Sequence, residues 1–175
     1  MSTQERHRAT VGVFGIPLRR KNYRIEGLWS KRADGLGINA VGGRVDPEDS
    51  KAKRTFQEVL QREFLEETGC EVEVGKLIGV YPNADLSDVA ILFDVRIVSG
   101  EPVPTAEAVE HLWMTPEEVV VAAKRYDEGH HENGLVSGVG NRQWKMARDF
   151  FLLRFGPGMT EAYRIPGELS APSKM

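Results

Sequence analysis

Three glutamates, Glu63, Glu66 and Glu67, stand i, i+3 and i+4 apart in a stretch whose apolar residues recur at helical spacing. Phe56, Val59, Leu60 and Phe64 define the inward stripe; Glu63 and Glu67 project onto that stripe, and Glu66 lies at its edge. Like charges at this spacing repel by roughly 0.2–0.5 kcal/mol per pair on an exposed helix, and by more when partly buried. Acids in a last helical turn also oppose the helix dipole, by about 0.3–1 kcal/mol each. A divalent cation removes both penalties, and clustered carboxylates with room for water and phosphate oxygens suit Mg2+ or Mn2+. The same three residues are compatible with a solvated acidic helix end, so the neighbouring residues must decide.

The elements that position these acids follow from the surrounding pattern. A single helix is predicted from about Ser50 to Thr68, with Asp49 or Ser50 as its cap and Gly69 at its end. Strands are predicted over Ala9–Leu18, Tyr23–Ser30 and Ile38–Val41, with a turn at Arg19–Asn22 and a tight turn at Gly42–Gly43. After the acids come strands over Glu71–Val80 and Val89–Val98, the second reading as central, and a shorter one over Glu107–Met114. A helix follows from Pro116 to about Tyr126, and another spans Asn141–Leu153. The segment between them, Tyr126–Gly140, reads as a glycine-rich loop that suits a lid or simple slack, with His130 and His131 solvated.

Composition bounds the function. A chain of 175 residues is long enough for one domain with a real core. Net charge is −3 and the pI about 5.9, which gives no global basic field for sequence-independent nucleic-acid binding. A single cysteine excludes an internal disulfide and a cysteine-based zinc cage. The absence of an apolar leader or an 18-residue apolar run leads to the expectation of a cytoplasmic protein with no membrane partner. The expected organisation is a flexible segment over 1–8, one domain over 9–155 and a tail over 156–175.

Gly43, Asp49 and the run Arg62-Glu63-Phe64-Leu65-Glu66-Glu67-Thr68-Gly69-Cys70 resemble the Nudix box, G-x5-E-x7-R-E-U-x-E-E-x-G-U, where U is apolar. The second half matches at every fixed position. The first half departs: Asp49 replaces glutamate, and twelve residues rather than seven separate it from Arg62. The simplest account is that five extra residues extend the helix at its start. The family would pair Asp49 with Arg62, and the longer spacing argues against that pairing. Val41 stands where the family usually has proline. The box covers 28 residues, and the likeness in element order extends over about residues 8–126.

The resemblance implies an α/β fold, the Nudix-type α/β/α sandwich with a mixed β-sheet flanked by helices. It implies metal ligation by Glu63, Glu66 and Glu67, by the carbonyl of Gly42, and by Glu107, which lies six residues before Trp113. Glu110 competes with Glu107 for that place. Glu63 and Glu107 are the candidates for general base, and Arg62 orients the acids. The implied reaction is Mg2+-dependent (or Mn2+-dependent) hydrolysis of NDP-X to NMP and P-X, most readily on ADP-ribose or a nucleotide sugar. The alternatives are a pyrophosphatase for canonical or oxidised (d)NTPs and a non-catalytic nucleotide-sensing domain. The expected partner is a small nucleotide, with a homodimer compatible; no residue reads the base or the X group.

Overall fold

Between Ala40 and Val41 one strand changes neighbours, and the rest of the fold is arranged about that point. The computed structural model describes residues 8–83, 86–127, 131–132, 135–136 and 141–156. Residues 1–7 of the flexible start predicted over 1–8, the tail beyond Gly156 and most of the Tyr126–Gly140 loop with His130 lie outside the described residues.

In chain order the elements are β1 (Thr10–Gly15), β2 (Leu18–Lys21), β3 (Arg24–Arg32), β4 (Ile38–Arg44), α1 (Pro47–Lys51), α2 (Phe56–Thr68), β5 (Glu71–Pro82), β6 (Asp88–Ser99), β7 (Ala108–Met114), α3 (Pro116–Asp127), the short pair β8 (His131–Glu132) and β9 (Leu135–Val136), and α4 (Asn141–Phe155). The main sheet runs β2-β3-β4-β1-β6-β5, with β7 on the other side of part of β3. Strand β4 pairs with β3 through Ile38–Ala40 and with β1 through Val41–Arg44. Only β1 and β6 are parallel among the pairs of this sheet, so it is mixed.

Strand periodicity of two divides the apolar residues between two cores. Leu28 and Val41 face one side, where they meet Val59, Leu60 and Phe64 of α2. Trp29 and Ala40, their immediate neighbours, face the other side and pack under α3 and α4 with Val119, Met146, Phe150 and Phe151. The sheet is therefore covered on both faces, and the expected α/β/α sandwich is the architecture found.

Three local expectations are corrected. Residues Leu18–Lys21 form strand β2, and the reversal is the two-residue turn Asn22–Tyr23, both left-handed with φ 48° and 66°, as a tight hairpin demands. Gly42 and Gly43 lie inside β4 opposite Phe14 and Val13, where a tight turn was expected. The predicted single helix is two. Lys53 adopts φ 56°, which no helix continues through, and Thr55 starts α2 with a reciprocal cap. The Glu58 N–H donates to Thr55 Oγ1 at 3.2 Å and the Thr55 N–H donates to Glu58 Oε2 at 2.7 Å. Phe56, the first residue after this cap, is 42% exposed and does not belong to the inward stripe. Gly69 closes α2 at φ 73°, its N–H donating to Leu65 O.

Candidate active site

Helix α2 lies against β1, β4 and β5, with its C-terminal turn beside the two glycines of β4. Absence of side chains there is what admits the acids. A Cβ on Gly43 would overlap the Glu63 carboxylate, and a Cβ on Gly42, whose φ is 137°, would run into the Val13 carbonyl. Glu63 is 7% exposed, and the Gly42 N–H donates to Glu67 Oε2 at 3.2 Å.

Burial dominates the electrostatics. It pushes the Glu63 carboxyl up to about 7, against the lowering influence of Arg62. It pushes Glu67 up to about 7 as well, opposed by the Gly42 N–H and reinforced by the charges of Glu63 and Glu107. Burial outweighs the Arg62 contact at Glu63 and the more distant charge of Arg32 at Glu67, so the two neighbouring carboxyl groups hold protons near neutrality.

Arg62 is the hub on the outer side. It donates from Nη2 to Asp49 Oδ2 at 2.9 Å and to Glu63 Oε1 at 2.7 Å, from Nη1 to Glu66 Oε2 at 2.7 Å, and from Nε to Asp49 Oδ1 at 3.2 Å. Burial works against its charge, yet these acids together hold its pKa above the ordinary range. Asp49 is 1% exposed and also accepts from the Asp46 N–H at 2.9 Å and from Arg54 Nη1 at 2.7 Å. The Asp46 N–H, with the two arginines, lowers its pKa to about 2. The pairing of Asp49 with Arg62, which the spacing argued against, is thus present. The extra residues do not lengthen the helix; they form the turn that carries Asp49 back over Arg62 and supply Arg54 as a second partner.

The structure divides the expected ligands. Glu67, Glu107 and Gly42 line one cleft of about 470 Å3, with Ser30, Arg32, Asp34 and Asn39 on its walls. Glu63 lies beneath Gly43 and couples electrostatically to Glu67. Glu66 is turned toward Arg62 on the exposed side of the helix. Glu110 lines a different groove, with Lys31, Leu112 and Trp113, so Glu107 rather than Glu110 reaches the acids. Among the described residues no three carboxylate, imidazole or thiol groups already converge as a cation site.

Several cleft residues escaped the sequence reading. Arg32 donates from Nε to Asp34 Oδ1 at 2.9 Å, and this bond raises the Arg32 pKa while lowering that of Asp34 to about 2. Glu67 and Glu107 lie close enough to add to the Arg32 shift. His111 bridges Ser30 Oγ (3.0 Å from Nδ1) and the Glu67 carbonyl (3.1 Å from Nε2), and burial lowers its pKa. The available signal was alternation: Leu28, Ser30 and Arg32 lie on one face of β3, where an apolar position gives way to two polar ones. Trp29 is fully buried and Trp113 carries Arg19 over its ring at 4.2 Å, and neither ring lines this cleft.

With this geometry in place, comparison with known proteins gives consistent results. The profile described as NUDIX domain matches residues 8–133. A "MutT-like protein" of Streptomyces ambofaciens is 34% identical over 110 residues, 63% of this chain and 66% of the relative. A Bacillus subtilis (strain 168) protein named "Putative 8-oxo-dGTP diphosphatase" is 34% identical over 108 residues, 61% of this chain and 67% of the relative. The match therefore spans about two thirds of each curated relative. The crystal structure of a MutT protein from Methanosarcina mazei Go1 shares the fold, with a TM-score of 0.61 at 19% identity over 88% of this chain and 99% of that one.

Proposed function

The chain belongs to the Nudix family, and from that premise we propose that it is a divalent-cation-dependent pyrophosphohydrolase cleaving NDP-X to NMP and P-X. The observation that carries the reading is the pair of acids, Glu63 buried and Glu67 half-buried, fitted against Gly42–Gly43 and pushed up to about pKa 7 by burial despite Arg62 beside Glu63. A fold with no use for negative charge there would relieve the strain with one substitution to an apolar residue.

The donor chemistry suits Mg2+ or Mn2+: Glu63, Glu67 and Glu107, with the Gly42 carbonyl, offer only oxygen and would hold the ion, and Glu66 would join them only by giving up its bond to Arg62. A bound ion of this kind supplies charge neutralisation at the diphosphate and a lowered pKa for a water molecule. The chain's own residues do the rest. Arg32 offers a cation to a phosphate oxygen in the cleft, a role in which a planar guanidinium excels. Glu63, with its elevated pKa, and Glu107 are the carboxylates placed to accept a proton from attacking water. Arg62 touches acids on three sides and fixes their orientation.

For the X group the first reading is a sugar, as in ADP-ribose or a nucleotide sugar. The name of the Bacillus subtilis relative favours a second reading, cleavage of a (d)NTP to NMP and pyrophosphate. A nucleotide panel with and without Mg2+ separates them: AMP plus ribose phosphate supports the first, NMP plus pyrophosphate the second. Silence across the panel points to a non-catalytic sensing domain and removes the enzyme reading.

A further inference from the structure

Asn39, Ser30 and His111 form a single cross-strand rank. Ser30 stands opposite Asn39 on β4 and opposite His111 on β7, so all three side chains share one face of the sheet. Ser30 and Asn39 line the cleft that also holds Glu67, Glu107 and Arg32. The far end of the rank is anchored on helix α2, through the Glu67 carbonyl. That carbonyl can only accept, so His111 Nε2 carries the proton. With the proton on Nε2 of the neutral ring, Nδ1 accepts from the Ser30 hydroxyl, and the Val103 backbone is a further partner of the ring. Ser30 is 4% exposed and cannot rotate freely, so its oxygen faces the cleft with lone pairs alone. The Asn39 amide beside it makes no hydrogen bond to another described residue and offers both a donor and an acceptor.

Among the described residues no aromatic side chain lines this cleft, so they offer a base no ring to stack on there. What the described walls offer is the Ser30 oxygen, an amide with no bond to another described residue, and the Arg32 guanidinium, paired with Asp34, within reach of the acid pair. We propose that Ser30 and Asn39 form the subsite for the X group, and that this group is a hydroxylated sugar: Ser30 Oγ accepts from one sugar hydroxyl and the Asn39 amide engages another. His111 is a positioning residue that sets the polarity of Ser30. The inference deepens the hydrolase reading and rests on it for the placement of the diphosphate.

The test uses α,β-methylene ADP-ribose, whose bridge resists hydrolysis, and α,β-methylene ADP, which lacks the second ribose. Binding of each is measured by calorimetry with Mg2+ for the wild-type protein, Ser30→Ala and Asn39→Ala. The wild type binds the ribose-bearing analogue more tightly. Each variant lowers that affinity roughly tenfold, the cost of one such hydrogen bond, toward the affinity for methylene ADP. With ADP-ribose as substrate the loss falls on KM rather than kcat. Equal wild-type affinity for the two analogues overturns the subsite, as does a folded Ser30→Ala protein with undiminished preference. Should Ser30→Ala fail to fold, Asn39→Ala decides the matter alone. Ribose-dependent binding without hydrolysis of ADP-ribose keeps the subsite and removes the hydrolase reading. Hydrolysis indifferent to both substitutions does the reverse.

Discussion

Glu63 and Glu67 differ from most surface acids in what surrounds them: strand backbone on one side, helix on the other, and glycines where side chains would otherwise intrude. Their elevated pKa values make a stability statement. Each carboxyl rises from an ordinary 4.5 to about 7 on folding, so its contribution is complete below about 4.5 and is lost as pH climbs through 7. Metal-free protein is therefore expected to melt at a lower temperature at pH 8 than at pH 5, and added Mg2+ to recover most of the difference at pH 8. A melting curve indifferent to both pH and Mg2+ contradicts the site. Because protons must leave before a cation binds, Mn2+ affinity should rise with pH between 6 and 8, with proton release visible in buffers of different ionisation enthalpy. Glu67→Gln is expected to lose at least about a hundredfold in turnover while remaining folded, the scale of one lost transition-state contact or more; near-normal turnover ends the metal-site interpretation. These residues were the legible part of the site, since helical spacing alone brings Glu63 and Glu67 together. Ser30, Asn39 and His111 were not legible, because their alignment depends on the registers of three strands distant in sequence.

Among the elements, the break between α1 and α2 was misread for an identifiable reason. The apolar stripe begins only at Phe56, and the expected helix start at Ser50 passed over Thr55-x-x-Glu58, a capping signature that marks a helix start. Thr55→Ala should cost about 1 kcal/mol, or roughly 2–4 °C in Tm, without altering KM. The turn thus created, through left-handed Lys53, returns Asp49 to Arg62 and adds Arg54 to the cluster. Asp49 has its pKa lowered to about 2, so its stabilisation is full above about 4 and disappears as pH falls toward 2. The difference in Tm between the wild type and Asp49→Asn should therefore shrink toward zero at acid pH, while at pH 7 the substitution should cost about 2 kcal/mol, roughly 4–8 °C. Equal melting of the two proteins at pH 7 contradicts the network. The strands after the acids were placed within a few residues, because β-branched runs and alternation carry that information locally. Strand β2 was mistaken for a turn because three successive cations outweighed its pairing partner, which the sequence does not display.

At the scale of the whole molecule, the resemblance supplied the layered architecture, and the two apolar cores divide as strand alternation requires. The change of neighbours within β4 had no local signature. Here the sheet opens, and the buried Gln143 of α4 fills the opening by accepting from the Ala40 N–H through Oε1 at 3.0 Å. Gln143→Leu should leave that amide without a partner and cost about 1–3 kcal/mol, measurable in urea titration. A strand that belongs to two ladders cannot slip along one without tearing the other. Amides of Ala40 to Gly43 should then exchange with deuterium only when both halves open together, at the slowest rate in the protein. The backbone beneath Glu63 and Glu67 would keep its form for as long as the molecule stays folded, so turnover and fold should fail at the same temperature.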